Sequence, residues 1–174
     1  MDDMFAYNSQ FLPGTQITVV FKENPNYIQL NEFFNEYGYG FYVPEFKTIF
    51  IDGEIFLGED GLTKDDLSFI EAHEISHLIL KHDGSRSEND ELEADLGAYI
   101  LLKNKNLSTD RLIDEFEYRH GIEFSEDLIN KIGDKFPHTL RENSIINWEL
   151  HQQLMEKKYV KKKYKQNLNS KNSL

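Results

Sequence analysis

Apolar positions along the first fifty residues come in short, β-like runs broken by one helical stripe. TQITVVFKE (15–23) is rich in β-branched residues, follows the Pro13-Gly14 turn signal and predicts a strand. In NPNYIQLNEFFNEYG (24–38), Ile28, Leu30, Phe33, Phe34 and Tyr37 fall close to helical spacing, and Gly38 supplies a stop. GYGFYVP (38–44) and FKTIFIDG (46–53) predict two more strands, with EIFLGE (54–59) as a short edge strand.

The period then lengthens. In GLTKDDLSFIEAHEISHLILKHDG (61–84), Leu67, Ile70, Ile75, Leu78 and Ile79 form one helical face. Thr63 with Asp66 makes a capping-box-like start, and Asp65 and Asp66 suit the positive end of the helix dipole. Lys81 and His82 read as helix-end charges, and Gly84 as the stop. SRSENDELEADLGAYILLKNKN (85–106) predicts a second helix, capped by Ser87 or Asn89, with Leu92, Leu96, Tyr99, Ile100 and Leu102 on its apolar face. The short link favours an antiparallel pair. LSTDRLIDEFEYRHGIEFSEDLINKIGDKFP (107–137) predicts two short helices broken at Gly121 and near Pro137, and residues 138–164 a final helix docking through Ile145, Trp148 and Leu150.

Composition narrows the chemistry. The 174 residues contain no cysteine, which removes thiolate nucleophiles, disulfides and cysteine-held metals. Any metal must be held by His, Asp or Glu. No apolar run approaches the roughly 20 residues needed to span a bilayer. The opening MDDMFAYNSQFLPG is acidic at its start and has no apolar core, so no secretory leader is expected there. These features point to a cytoplasmic location without a membrane partner.

Charge divides the chain. Residues 1–150 carry 12 Lys+Arg against 30 Asp+Glu, a balance of −18, whereas residues 151–174 carry seven Lys against one Glu, a balance of +6. The acidic body repels phosphate. Any nucleic-acid contact is therefore expected to be weak and confined to the basic tail, residues 157–165. That tail reads first as a disordered, solubilising segment.

The chemistry concentrates in HEISH (73–77). His73 and His77, four apart on a helix, present their Cβ atoms roughly 5–6 Å from each other. Two imidazoles at that spacing can share one tetrahedral zinc ion. Glu74 is turned by about 100° around the axis, too far to be the natural third ligand but able to reach a water on the metal. The extended HExxHxxGxxH form is absent, because Leu80 and Asp83 stand where it needs Gly and His. A carboxylate from the next helix is the other solution, and ELEAD (91–95) carries one. Glu91 and Asp95 share a face, so Glu91 is the expected third ligand and Asp95 the expected acceptor of a ligand histidine's free ring N–H. Glu93 is the alternative ligand if the register of that helix differs. Tyr99, Tyr118, His120 and His138 are candidate donors to a developing oxyanion. A polar helix face without chemistry is the plain alternative, but it leaves the second carboxylate cluster without a purpose.

HEISH followed by E-x-x-A-D resembles the gluzincin zinc peptidases. HtpX-like members usually have membrane spans and a longer gap between the motifs. The thirteen residues between His77 and Glu91 are closer to the ImmA/IrrE family, which is small, soluble and intracellular. The resemblance covers roughly residues 40–103. The paired leucines that follow the glutamate motif in that family are present as Leu101 and Leu102, while its Phe and Pro are absent.

The resemblance implies an α+β, zincin-like fold: a small, mostly antiparallel sheet packed on the HEISH helix, then a glutamate-ligand helix and a helical C-terminal half. A single metallopeptidase domain is expected over residues 1–150, with core motifs at 63–103 and a helical part at 107–150, ahead of the tail at 151–174. It further implies one Zn²⁺ per chain, Glu74 as general base, and an intracellular protein substrate such as a DNA-binding repressor. The alternative from a different class is a non-catalytic zinc-binding regulatory module, against which the retained Glu74 argues.

Overall fold

A computed structural model describes residues 3–56, 63–82, 87–133 and 135–136. Strands β1 (Met4–Asn8), β2 (Gln16–Val20), β3 (Gly40–Val43) and β4 (Thr48–Asp52) form one sheet in the order β1-β2-β4-β3. Five helices are seen among the described residues: α1 (Tyr27–Tyr37), α2 (Lys64–Leu80), α3 (Glu88–Asn104), α4 (Asp110–His120) and α5 (Glu126–Gly133). The class is α+β, and the sheet is mixed. β1–β2 and β3–β4 are antiparallel, while β2 and β4 run parallel at its centre. The parallel pair follows from connectivity, because α1 and β3 separate β2 from β4 and return the chain in the same direction.

Side chains along a strand alternate between faces, and this divides the apolar residues into two sets. Ile17, Val19, Tyr42, Ile49 and Ile51 join the main core with Ile75 and Leu78 of α2. Phe41, Val43 and Phe50 turn the other way and pack with Phe34 of α1. Each fully buried Ile or Val contributes roughly 1.5–3 kcal/mol. The sheet therefore lies between α1 on one side and the α2–α3 pair on the other.

The sheet departs from the sequence reading at two points. β1 has no counterpart in the sequence pattern, since Met4–Asn8 mixes polar and apolar residues. It is an edge strand held by its backbone ladder to β2. Residues 53–56 form a 3-10 turn instead of an edge strand. Asp52 Oδ1 accepts from the Glu54 N–H at 3.0 Å and turns the chain away from the sheet. Residues 57–59, Gly84, Pro137, His138, the expected helix at 138–164 and the tail lie outside the described residues.

α2 is buried from Ser68 to Ile79. Such a helix must find partners for every polar side chain it carries. Thr63 Oγ1 accepts from the Asp66 N–H at 3.1 Å and caps its start. At its end Lys81 adopts the left-handed conformation (φ 60°), with its N–H on the His77 and Leu78 carbonyls. Ser87 caps α3 in the same way as Thr63 caps α2, accepting from the Asp90 N–H at 3.1 Å. Gly97 of α3 sits where a Cβ would come within 2.7 Å of Ser76 Oγ on α2 and of the Phe136 ring. The two helices thus approach closely because this position has no side chain.

Glu71, also buried in α2, anchors the N-terminal strand. Its carboxylate accepts from Tyr7 Oη (2.9 Å), Ser9 Oγ (2.7 Å) and the Gln10 N–H (3.0 Å). Burial pushes this carboxyl up, and the donors from Ser9, Tyr7 and Gln10 offset part of the rise.

Candidate metal centre

HEISH lies in the C-terminal half of α2 and ELEAD in the first turns of α3, so the packing of these two helices makes the site. His73 Nε2 and His77 Nε2 are 3.2 Å apart. Glu91 brings Oε2 to 3.0 Å from His73 Nε2 and Oε1 to 3.5 Å from His77 Nε2. Ligand atoms about 2.0–2.1 Å from one tetrahedral zinc ion lie about 3.3 Å from each other. The three edges of this triangle straddle that value. Two nitrogens and a carboxylate oxygen, converging in a buried position, are a donor set that can hold one divalent cation.

Each ring is oriented by a partner. Asp95 Oδ1 lies 2.7 Å from His73 Nδ1, which assigns the proton to Nδ1 and leaves the Nε2 lone pair facing His77 and Glu91. His77 Nδ1 meets His82 Nδ1 at 2.8 Å, and His82 Nε2 meets Glu93 Oε1 at 2.9 Å.

The surroundings favour positive charge. Burial would depress the His73 pKa, but Tyr39 and the carboxylates of Asp95 and Glu91 outweigh it and raise it well above the ordinary imidazole value. Burial pushes Glu91 up, yet His73 and His77 hold its carboxyl well below the usual range. Asp95 behaves likewise: His120, His73 and Arg119 overcome its burial. The groups that attract a proton to this point attract a dication more strongly.

Glu74 is 4% exposed and stands next to β3. A Cβ at Gly40 would lie 2.7 Å from the Glu74 carboxyl carbon and 2.9 Å from Oε1. The strand passes this close to the carboxylate only because residue 40 is glycine.

The structure brings His73, His77, Glu91 and Asp95 together as the helical phase predicts. It does not bring Glu93 to the histidine pair; Glu93 turns to His82 and Lys135. His82 differs from its reading as a helix-end charge. It is 7% exposed and packed against His77. Among the oxyanion candidates, Tyr118 is 92% exposed and the Tyr99 hydroxyl accepts from Lys103 Nζ at 2.9 Å. His120 reaches the site, but its Nε2 is bonded to Asp95 Oδ2 at 2.5 Å.

No protein-family model, curated protein or solved structure matches this chain.

Two residues come to the site without a signal in the sequence. The Tyr39 ring lies 6.3 Å from the His73 ring. Arg119 Nη2 stands 3.4 Å from Asp95 Oδ2, over the face of Phe69. Arg119 lies in the last turn of α4, where a basic residue ordinarily complements the helix dipole. A cleft of about 630 Å³ runs along Glu88, Glu91, Leu92, Arg119, His120 and Ile122, so Glu91 and Arg119 are reachable from solvent.

Proposed function

We propose that this protein is a zinc-dependent endopeptidase of the gluzincin type, with His73, His77 and Glu91 as ligands and Glu74 as general base. The observation that carries the reading is the triangle of His73 Nε2, His77 Nε2 and Glu91, with sides of 3.0–3.5 Å, beside a buried Glu74 on the same helix. A bound zinc ion would polarise the scissile carbonyl and lower the pKa of a water toward neutrality. Glu74 accepts the proton of the attacking water and passes it to the leaving amine. Asp95 keeps His73 in the ligating tautomer. Arg119, which lines the cleft, and Tyr39, whose ring lies 6.3 Å from that of His73, are donors that can stabilise negative charge on the carbonyl oxygen.

The resemblance to ImmA/IrrE peptidases and the −18 balance of residues 1–150 favour a cationic protein substrate, such as a DNA-binding repressor, met in the cytoplasm. The site and the family motif, ELEAD after a thirteen-residue gap, support a zincin-like arrangement of α2 and α3.

The test is metal analysis followed by proteolysis. Wild type should hold about one zinc per chain, and His73→Ala and His77→Ala should lose it. Glu74→Gln should keep the zinc and lose proteolysis by on the order of 10²–10⁴-fold. A metal-free wild type sinks the reading. Unchanged function in Glu74→Gln would point to a non-catalytic zinc module.

A further inference from the structure

His82 is five residues past His77, beyond the end of α2, and yet it returns to the site. The left-handed Lys81 allows this. Its N–H bonds the Leu78 carbonyl, and the His82 N–H bonds the His77 carbonyl at 3.2 Å. That pair of bonds is a Schellman motif. It folds His82 back over the face of α2 that carries His77, with ring centroids 5.0 Å apart.

The proton positions follow from the end of this chain of contacts. The Glu93 carboxylate can only accept, so His82 Nε2 donates to it across 2.9 Å. Lys135 on the other Glu93 oxygen supplies the compensating charge. A neutral imidazole has one N–H, so His82 Nδ1 carries a lone pair and accepts from His77 Nδ1 across 2.8 Å. His77 then has its lone pair on Nε2, aimed at His73 Nε2 and Glu91.

We infer that His82 is a positioning residue which, held by Glu93 and Lys135, fixes His77 as the Nδ1–H tautomer and keeps Nε2 available to the metal. The inference rests on the reading of His77 as a ligand. Asp95 does the same for His73 directly, so both ligand rings are oriented by a carboxylate, one of them through an intervening imidazole.

A second cation held by His82, Asp90 and Glu93 is the rival use of these groups, since Asp90 Oδ1 is 3.7 Å from His82 Nε2. A cation on His82 Nε2 would leave the His82 proton on Nδ1, facing His77 Nδ1. His77 would then have to be protonated on Nε2, inside the first centre. The two centres exclude each other, and Lys135 already supplies the positive charge at Glu93.

The experiment uses the full chain labelled with ¹⁵N-histidine. Long-range ¹H–¹⁵N spectra of the wild type should show His77 protonated at Nδ1 and His82 at Nε2. Zinc competition against a chromophoric chelator should show His82→Ala binding one zinc about 10- to 100-fold more weakly. His82→Gln, whose amide oxygen can accept from His77 Nδ1, should recover most of the loss. His77 protonated at Nε2, unchanged zinc affinity in His82→Ala, or a second zinc equivalent that His82→Ala abolishes would each overturn the inference. If His82→Ala does not fold, the wild-type spectrum decides alone. A wild type that binds no zinc sinks the peptidase reading. Zinc binding that is indifferent to residue 82 sinks only this one.

Discussion

His73 and Asp95 are joined by a 2.7 Å hydrogen bond between Nδ1 and Oδ1, and both side chains are 1% exposed. The second oxygen of Asp95 takes His120 Nε2 at 2.5 Å and Arg119 Nη2 at 3.4 Å. One carboxylate on α3 therefore ties α2 to α4 at the candidate centre. It orients a proposed ligand and faces a partly exposed guanidinium at once.

Asp95→Asn should weaken zinc binding by about 10- to 100-fold, because the amide nitrogen cannot accept, so either His73 or Arg119 loses its acceptor. Asp95→Ala leaves His73, His120 and Arg119 without their carboxylate; because the Arg119 side chain is 22% exposed, the cost in urea unfolding should fall below the roughly 3–5 kcal/mol of a fully buried pair. Equal zinc affinity in Asp95→Asn and wild type would remove Asp95 from any role in orienting His73.

Gly40→Ala should uncouple metal from activity. The added methyl would overlap the Glu74 carboxyl, whose carbon lies 2.7 Å from the point a Cβ would occupy. That side chain ends in a flexible carboxylate and can swing aside, so the fold and zinc content should survive. Proteolysis should fall well over tenfold, because the base is displaced. Full activity in this variant would mean that Glu74 does its work from another position.

Removing the metal should lower thermal stability. A ligand at about 100 times its dissociation constant adds about 2.7 kcal/mol to folding, or roughly 5–10 °C in Tm for a chain of this size. EDTA should remove that increment from the wild type. His77→Ala should be insensitive to both EDTA and added zinc, and an EDTA-sensitive His77→Ala would place the stabilising metal elsewhere.

Gly97→Ala tests the helix pairing without touching the chemistry. Its Cβ would press on Ser76 Oγ and the Phe136 ring, both at 2.7 Å. Both are buried, so overpacking should cost about 1–3 kcal/mol in urea unfolding. A neutral effect would show that α2 and α3 can separate at this point.

Much of the local structure could be read from one dimension. Alternation in TIFID and the helical stripes of 64–80 and 88–104 correspond to β4, α2 and α3, and Thr63 and Ser87 cap their helices through the side chains the motifs suggest. Within HEISH and ELEAD, the four-residue spacing alone was enough to put His73 with His77 and Glu91 with Asp95. These relations depend on the rise and turn of a single helix, and that geometry is the same in any context.

The remaining features depend on which elements meet. β1 carries too mixed a pattern to be recognised, and pairing with β2 makes it a strand. Glu93 and Glu91 are two residues apart in one acidic turn, and only the rotation of α3 against α2 sends one to His77 and the other to His82. His82 is buried because a single non-glycine residue, Lys81, is left-handed. Tyr39 and Gly40, at the entry to β3, and Arg119 and His120, at the end of α4, come from parts of the chain far from HEISH. Periodicity follows from the covalent backbone and is written locally. A hydrogen bond across 25 residues, such as His120 to Asp95, exists only once packing has brought the two ends together and excluded water.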